Sequence, residues 1–580
     1  MHAVANAVTR FPVLFGTCLV VGLACGLYLP FLANPPVFDD QGFFSGRLFS
    51  YYATHPFGLE LRVPPYFSLA IVQVIWGSME AHRIVSLALH IACALALYKL
   101  IFDLQRYAAQ GAAAPLATGL DAHVPAFLAA TVFAIHPVAV YGAGYLIQRM
   151  TVLAALFSLL SVILYMRGLA RRSHTDAISA ALFYSIAVLS RETAVLLPAA
   201  AVAAGLVVAA DRRYWVRHAG LYLACCAPAA ALVAVLVKGK IGTAYEPDFE
   251  VVSAQIAGAG AVPGSTNVFG SPWLESAVTQ AGLFFRYLAS WIWPVTSTMA
   301  IDVRVAFAGS WPPLLAVLAV VAFLGFGLLG LSLLRRGGLA RVAGFGLLFP
   351  WILFLVEFTT IRYQEPFVLY RSYLWAPGLM VLLAMALRRL NRRATVVFCL
   401  LALPLLFLPA RDRLQTFSSG FALWEDAVGK LPQRAVPGGS RTLYNLGREY
   451  LYREQVGQAI AVTERCIADY PATFDCYHGR AAIHLHQEHY REALPYLAHA
   501  IELRPDSGAA RHHLGIALEN LGCIEEAKQQ YRLASARRFP GAIYNLERLE
   551  KPGTGLLPPV RTKAPTEACG RTQPDAAPQP

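Results

Sequence analysis

The segment PPVFDDQGFF, Pro35 to Phe44, puts two adjacent carboxylates, Asp39 and Asp40, directly after a long apolar run. Ionisable groups at the ends of membrane-type apolar segments are costly to keep and mark candidate functional sites. Comparable positions further along hold His136, Gln148, Arg149, Arg191, Glu192, Glu365, Tyr370 and Arg371. A guanidinium presents a planar fork of donors suited to phosphate oxygens. A carboxylate beside it can take a proton from a hydroxyl while a phosphate departs. Glycosyl transfer from a polyprenyl-phosphate-linked sugar is a reaction of that form. Asp39 or Asp40 then serves as general base, and the other residues bind the lipid phosphate and the sugar. Adjacent residues point in different directions, so the sequence does not choose between the two acids. An Asp pair can also hold a hard divalent cation such as Mg or Mn, although arginines can neutralise the same phosphate charge.

Each of these residues has a plainer reading. Asp39 and Asp40 can mark a helix exit. Gln148 and Arg149 can snorkel to the membrane interface. Arg191 and Glu192 can form an internal ion pair in a short turn. Arg371 can anchor at the interface beside Tyr370 and Tyr373, and His136 can simply end a helix before Pro137. His82 and His90 read as packing on one helix face, and Asp248–Glu250 as a second acidic cluster.

Long apolar segments must carry this set. The 580 residues are 57% hydrophobic and 14% charged, whereas soluble domains are roughly a quarter charged. The mean hydropathy is +0.50. These values describe a polytopic membrane protein with a soluble part attached. Eleven spans are expected, at 11–33, 82–102, 124–141, 150–167, 176–190, 193–210, 218–237, 311–334, 341–360, 371–388 and 394–410. The stretch 278–298, broken by Arg286 and Pro294, reads as interfacial or re-entrant. The basic clusters RGLARR (167–172), DRRYWVR (211–217), RRGGLAR (335–341) and RRLNRR (388–393) then share one side, which the positive-inside rule makes the cytoplasm. The net charge of +13 is explained by those loops and implies no nucleic acid. The N-terminal apolar run reads as a retained span. An odd count carries everything after residue 410 to the other side, together with the acidic loop. The ten cysteines include no CxxC zinc spacing.

The C-terminal part is periodic. Ala459, Ala493 and Ala527 recur every 34 residues, as do Gly447, Ala481 and Gly515, and Pro471 and Pro505. Small residues at two positions of a 34-residue period are the mark of tetratricopeptide (TPR) helix pairs. Three repeats are expected at 440–540, with GAIYNLERL as a capping helix, and their concave face as an acceptor-binding surface. The domain reading is a membrane domain at 1–412, a linker at 413–439, a TPR domain at 440–550 and a disordered tail at 551–580. Cys466 and Cys476, ten apart, could staple two repeats in an oxidising compartment or remain free thiols packed in helices.

The ordered set HPVAVYGAGYLIQRMTVLAALFSLLSVILYMRG (136–168), SRETAVLLP (190–198), TQAGLFFRYLASWIWP (279–294) and LYRSYLWAPGL (369–379), followed by repeats, resembles bacterial relatives of the transmembrane-and-TPR-containing (TMTC-type) protein O-mannosyltransferases. Those are GT-C-class enzymes that use lipid-linked sugars. The resemblance implies an all-α, GT-C-like bundle followed by a TPR solenoid. It implies catalytic carboxylates at Asp39 and Asp40, a polyprenyl-phosphate sugar donor and an exported acceptor protein. It departs at Arg191, where many relatives carry Lys. The implied location is a bacterial inner membrane, with the N-terminus cytoplasmic and the repeats periplasmic. The alternative is a non-catalytic membrane scaffold that displays its repeats to a cell-surface or secretion machine.

Overall fold

The computed structural model describes residues 12–45, 48–110, 120–208, 210–243, 269–433 and 435–550. The protein is all-helical. Among the described residues the β pairing is confined to one isolated antiparallel bridge, Val303 with Phe367. The chain divides into two units, Met1–Leu423 and Trp424–Pro580. Asp248–Glu250 and the tail 551–580 lie outside the described residues.

The first unit is built on apolar helices, the form in which a chain in lipid satisfies its own backbone groups. Among the described residues seven are long and apolar enough to cross a membrane: Pro12–Phe31, Met79–Ala109, Leu146–Arg171, Arg212–Lys240, Pro313–Leu334, Gly338–Thr359 and Arg392–Thr416. A bent pair, Ala122–Ala134 with Pro137–Ala143, meets at 64° and makes eight if it is one broken span. Its break lies at Pro137, which has no N–H to continue the earlier helix but suits the first turn of the next.

Of the eleven expected runs, seven or eight are long apolar helices among the described residues, and the other three are shorter helices. The run 193–210 opens as a 3-10 turn, Glu192–Leu196, and its α-helix, Leu197–Gly205, has only 9 residues. The run 371–388 opens the same way at Leu369–Tyr373, leaving the 11-residue helix Pro377–Leu387. The run 176–190 gives the 17-residue helix His174–Ser190. At 1.5 Å per residue these helices cover about 14, 16 and 25 Å, against a hydrocarbon core of about 30 Å. Apolar composition alone does not record such breaks. Pro272–Ile292, which contains most of the interfacial stretch, is not among the long apolar helices.

Side-chain caps begin several helices. Ser173, Asp211 and Asn391 each accept a bond from a backbone N–H in the first turn. Small residues let helices touch. A Cβ on Gly344 would lie 2.4 Å from the backbone nitrogen of Leu334, so Pro313–Leu334 and Gly338–Phe354 meet backbone to backbone.

The second unit is a stack of helix pairs. First helices are Gly439–Tyr452, Phe474–His486 and Gly508–Asn520; second helices are Val456–Asp469, Tyr490–Leu503 and Ile524–Ala536. Pro540–Glu550 follows them. The small residues of the 34-residue pattern lie where helices cross. Ala459, Ala493 and Ala527 are fully buried. A Cβ on Gly515 would meet the Tyr531 ring at 2.4 Å. Cys466 and Cys476 form a disulfide with Cα atoms 5.3 Å apart, tying the end of one pair to the start of the next. The segment expected as a linker, 413–439, holds the end of Arg392–Thr416 and a further helix, Gly420–Val428. The boundary between the units falls inside that helix.

Candidate functional site

The two adjacent acids part company. Asp40 is fully buried. Its carboxylate accepts the backbone N–H of Ile147 at 2.7 Å and that of Val37 at 3.4 Å. Burial pushes the Asp40 carboxyl up to about 7, against the pull of those N–H groups and the nearby Arg83. Arg83 fastens the same loop. Its three nitrogens donate to the carbonyls of Asn34, Pro35 and Gly144, each at 2.9 Å. Asp40 and Arg83 therefore pin residues 34–40 onto the turn 144–147. Asp39 is exposed, and its backbone N–H donates to the Tyr145 hydroxyl at 3.1 Å. Asp40 is thus held inside the loop, whereas Asp39 stands at the surface. A divalent cation shared by the pair does not fit a donor set in which one carboxylate is fully buried and bonded to backbone N–H groups. Among the described residues no group of three or more His, Cys, Asp and Glu side chains could hold a metal ion.

Tyr145 leads to a second cluster. Its ring stands 6.4 Å from that of Tyr370. The Arg191 guanidinium lies over the Tyr370 ring, 5.2 Å from its centroid. Arg191 is in extended backbone between His174–Ser190 and the 3-10 turn, and it is buried. It donates to the Gln148 side-chain carbonyl at 2.8 Å and to the Thr151 hydroxyl, both neutral groups. Thr151 in turn donates to Gln148 at 2.8 Å. Among the described residues no carboxylate comes within ion-pair distance of Arg191. Its neighbour Glu192 pairs instead with Arg62, at 2.8 Å.

The other expected residues are placed differently. Arg371 lies 3.4 Å from both Glu357 and Glu365, and Arg362 lies 3.2 Å from Glu357. Glu365 also accepts the Tyr370 hydroxyl at 3.2 Å. The charge of Arg371 is therefore already met by acids. Arg149 is fully buried and spends its donors on Ser86, on the Ser68 carbonyl at 3.0 Å and on the His82 carbonyl at 2.7 Å, so it braces three segments. His136 is also fully buried. It caps Pro137–Ala143 by accepting the Val138 N–H, bonds the Trp291 carbonyl at 3.1 Å and stacks on Trp291 at 4.4 Å. Neither Arg149 nor His136 reaches the cluster around Asp39 and Arg191.

Tyr145, Thr151, Arg62, Glu357 and Arg362 join the site without having been singled out in the sequence. Tyr145 and Thr151 flank Gln148 in the quoted YLIQRMT run, which is the one local signal for them. Arg62 meets Glu192 across 130 residues of chain and leaves no local trace, whereas Glu357 meets Arg362 and Arg371 within 14 residues of itself.

A tetratricopeptide repeat family model matches residues 474–507. No curated protein matches the chain.

Proposed function

We propose that this chain is an integral membrane glycosyltransferase of the GT-C class, a relative of the TMTC-type O-mannosyltransferases. It moves a sugar from a polyprenyl-phosphate donor to a hydroxyl of an exported protein. The observation that carries this reading is Arg191: a buried guanidinium without an acid partner, separated from the exposed Asp39 by Tyr145 and Tyr370. A buried cation held by neutral groups is preorganised for an anion that arrives with the substrate.

In the proposed reaction Asp39 accepts the proton of the acceptor hydroxyl. The hydroxyl oxygen forms a bond to the anomeric carbon as the bond from that carbon to the phosphate oxygen breaks. The electron pair leaves with the phosphate, whose growing charge Arg191 offsets. Arg371, Glu357, Arg362 and Glu365 hold the wall behind Tyr370. Gln148 and Thr151 aim Arg191, Glu192 with Arg62 fixes the turn that carries it, and Asp40 holds the loop that carries Asp39.

Two further features support the setting. Seven apolar helices suit a lipid-borne donor. The Cys466–Cys476 disulfide suits repeats on the oxidising side of a bacterial inner membrane, where an acceptor would be captured. The disulfide, and the basic clusters that share one side in the eleven-span reading, are the support for that side.

The test compares glycopeptides of exported proteins from wild type, a deletion strain, and chromosomal Asp39→Asn and Asp40→Asn strains with protein levels measured. A sugar lost from a defined set of proteins in the deletion and Asp39→Asn strains is the expected result. Removing a general base lowers the rate by about 100- to 10,000-fold. Unchanged glycans in the deletion strain would leave the scaffold alternative standing, and loss in the deletion alone would remove Asp39 from the mechanism.

A further inference from the structure

The face of the repeat stack lined by the first helices carries its own arrangement of groups. Tyr444, His478 and His512 occupy the same place in successive 34-residue repeats. The His478 ring stacks on His513 of the next repeat at 4.8 Å and 13°. Tyr444 of the preceding repeat also stacks on it, at 6.1 Å, and its hydroxyl stands 3.4 Å from His478 Nδ1. The result is a flat ladder of rings running across three repeats.

Two guanidiniums flank this ladder. Arg448 is exposed, lies 5.8 Å from the Tyr444 ring centroid and donates to the hydroxyl of Tyr452, which is 69% exposed. Arg504 lies over the Phe474 ring at 4.3 Å, and Phe474 stacks on His478 at 5.0 Å. Among the described residues no carboxylate comes within ion-pair distance of Arg448 or Arg504. Asp475 and Glu449 are the acids that neighbour this face. His478 is 5% exposed, and its Nε2 has no hydrogen-bond partner. Burial, with the charges of His513, Arg504 and Arg448, pushes the His478 imidazole down to about 3, so it is neutral. Two guanidiniums with no carboxylate in ion-pair distance among the described residues, beside a buried, unpartnered imidazole nitrogen, are the complement of a carboxylate.

We propose that this face binds an acidic peptide segment, with its carboxylates on Arg448 and Arg504 and its backbone laid past Tyr444 and His513. The proposal deepens the acceptor-capture part of the reading above, but it stands or falls on binding alone.

The test uses the purified full chain in lipid nanodiscs. A short fluorescein-labelled peptide of alternating Glu and Ser is titrated by anisotropy beside one of alternating Lys and Ser. The Glu peptide binds and the Lys peptide does not. Binding weakens between about 0.1 M and 1 M salt, as the screening length falls from about 10 Å to about 3 Å. Arg448→Gln and Arg504→Gln each weaken it about tenfold or more. Equal binding of the two peptides overturns the proposal, as does retention of binding by the double variant with an unchanged melting curve. If Arg504→Gln unfolds the stack, Arg448→Gln decides alone, because that side chain is exposed. An oligoglucuronate that binds as tightly as the Glu peptide overturns the peptide assignment. None of these results depends on sugar transfer, so a failed transferase assay leaves the binding test intact.

Discussion

Two arginines near Tyr370, one over its ring and one next to it in sequence, are treated in opposite ways. Arg371 sits among acids, within 3.4 Å of Glu357 and Glu365, in a network that also takes in Arg362. Arg191 sits over the Tyr370 ring and bonds to an amide and a hydroxyl. The first region is internally compensated, so its charges are committed to holding the fold. The second keeps a charge in reserve. An arginine's partners, more than its position at a helix end, decide whether it is available to a ligand.

The sharpest way to break this comparison is Glu357→Gln. It leaves Arg362 and Arg371 short of their shared acid, and removing one member of a buried ionic network costs about 3–5 kcal/mol. Thermal unfolding in detergent reads this loss, and an unchanged midpoint would show that the network is not structural. Arg191→Gln comes next. Loss of a preorganised charge donor lowers turnover about 100- to 1,000-fold, with little change in melting temperature, and Arg191→Lys recovers part of it. A large fall in stability would instead place Arg191 with Arg371.

Asp40→Asn tests the loop that carries the reachable acid. The folded-state carboxyl is raised from its usual value to about 7. Between the two values the folded protein holds the proton more tightly than the unfolded chain. This group's contribution to stability is therefore full below the usual carboxylate range and is lost as pH rises toward 7. The difference between wild type and Asp40→Asn should shift toward the variant from low to neutral pH, read as paired melting curves. A constant difference would refute it. Tyr370→Phe gives the smallest effect. It removes the hydroxyl bond to Glu365, worth about 1 kcal/mol, but keeps the ring under Arg191. Stability falls slightly while turnover changes less than in Arg191→Gln.

Much of the fold was legible because its signals are local. The 34-residue spacing of Gly447, Ala481 and Gly515 records contacts inside one helix pair, and the apolar runs record burial in lipid. The shortness of some helices was not legible because hydropathy is blind to the restarts at Pro198 and Pro377, where a 3-10 turn precedes a short helix. At the site, the residue types were legible and their roles were not. Asp39 and Asp40 differ only in which way a short helix turns them. Gln148 and Arg149 are neighbours, yet one aims Arg191 and the other is spent bracing helices. The Arg62–Glu192 pair spans 130 residues of sequence and could not be seen from either end.

The shortness of Pro377–Leu387 bears on how Tyr370 and Arg371 are held. Its 11 residues rise about 16 Å, and the 3-10 turn Leu369–Tyr373 that carries both side chains comes before it. All five residues of that turn are buried, so the turn is fixed by its packing rather than by a long helix behind it, and a change that loosens that packing would move Tyr370 and Arg371 together.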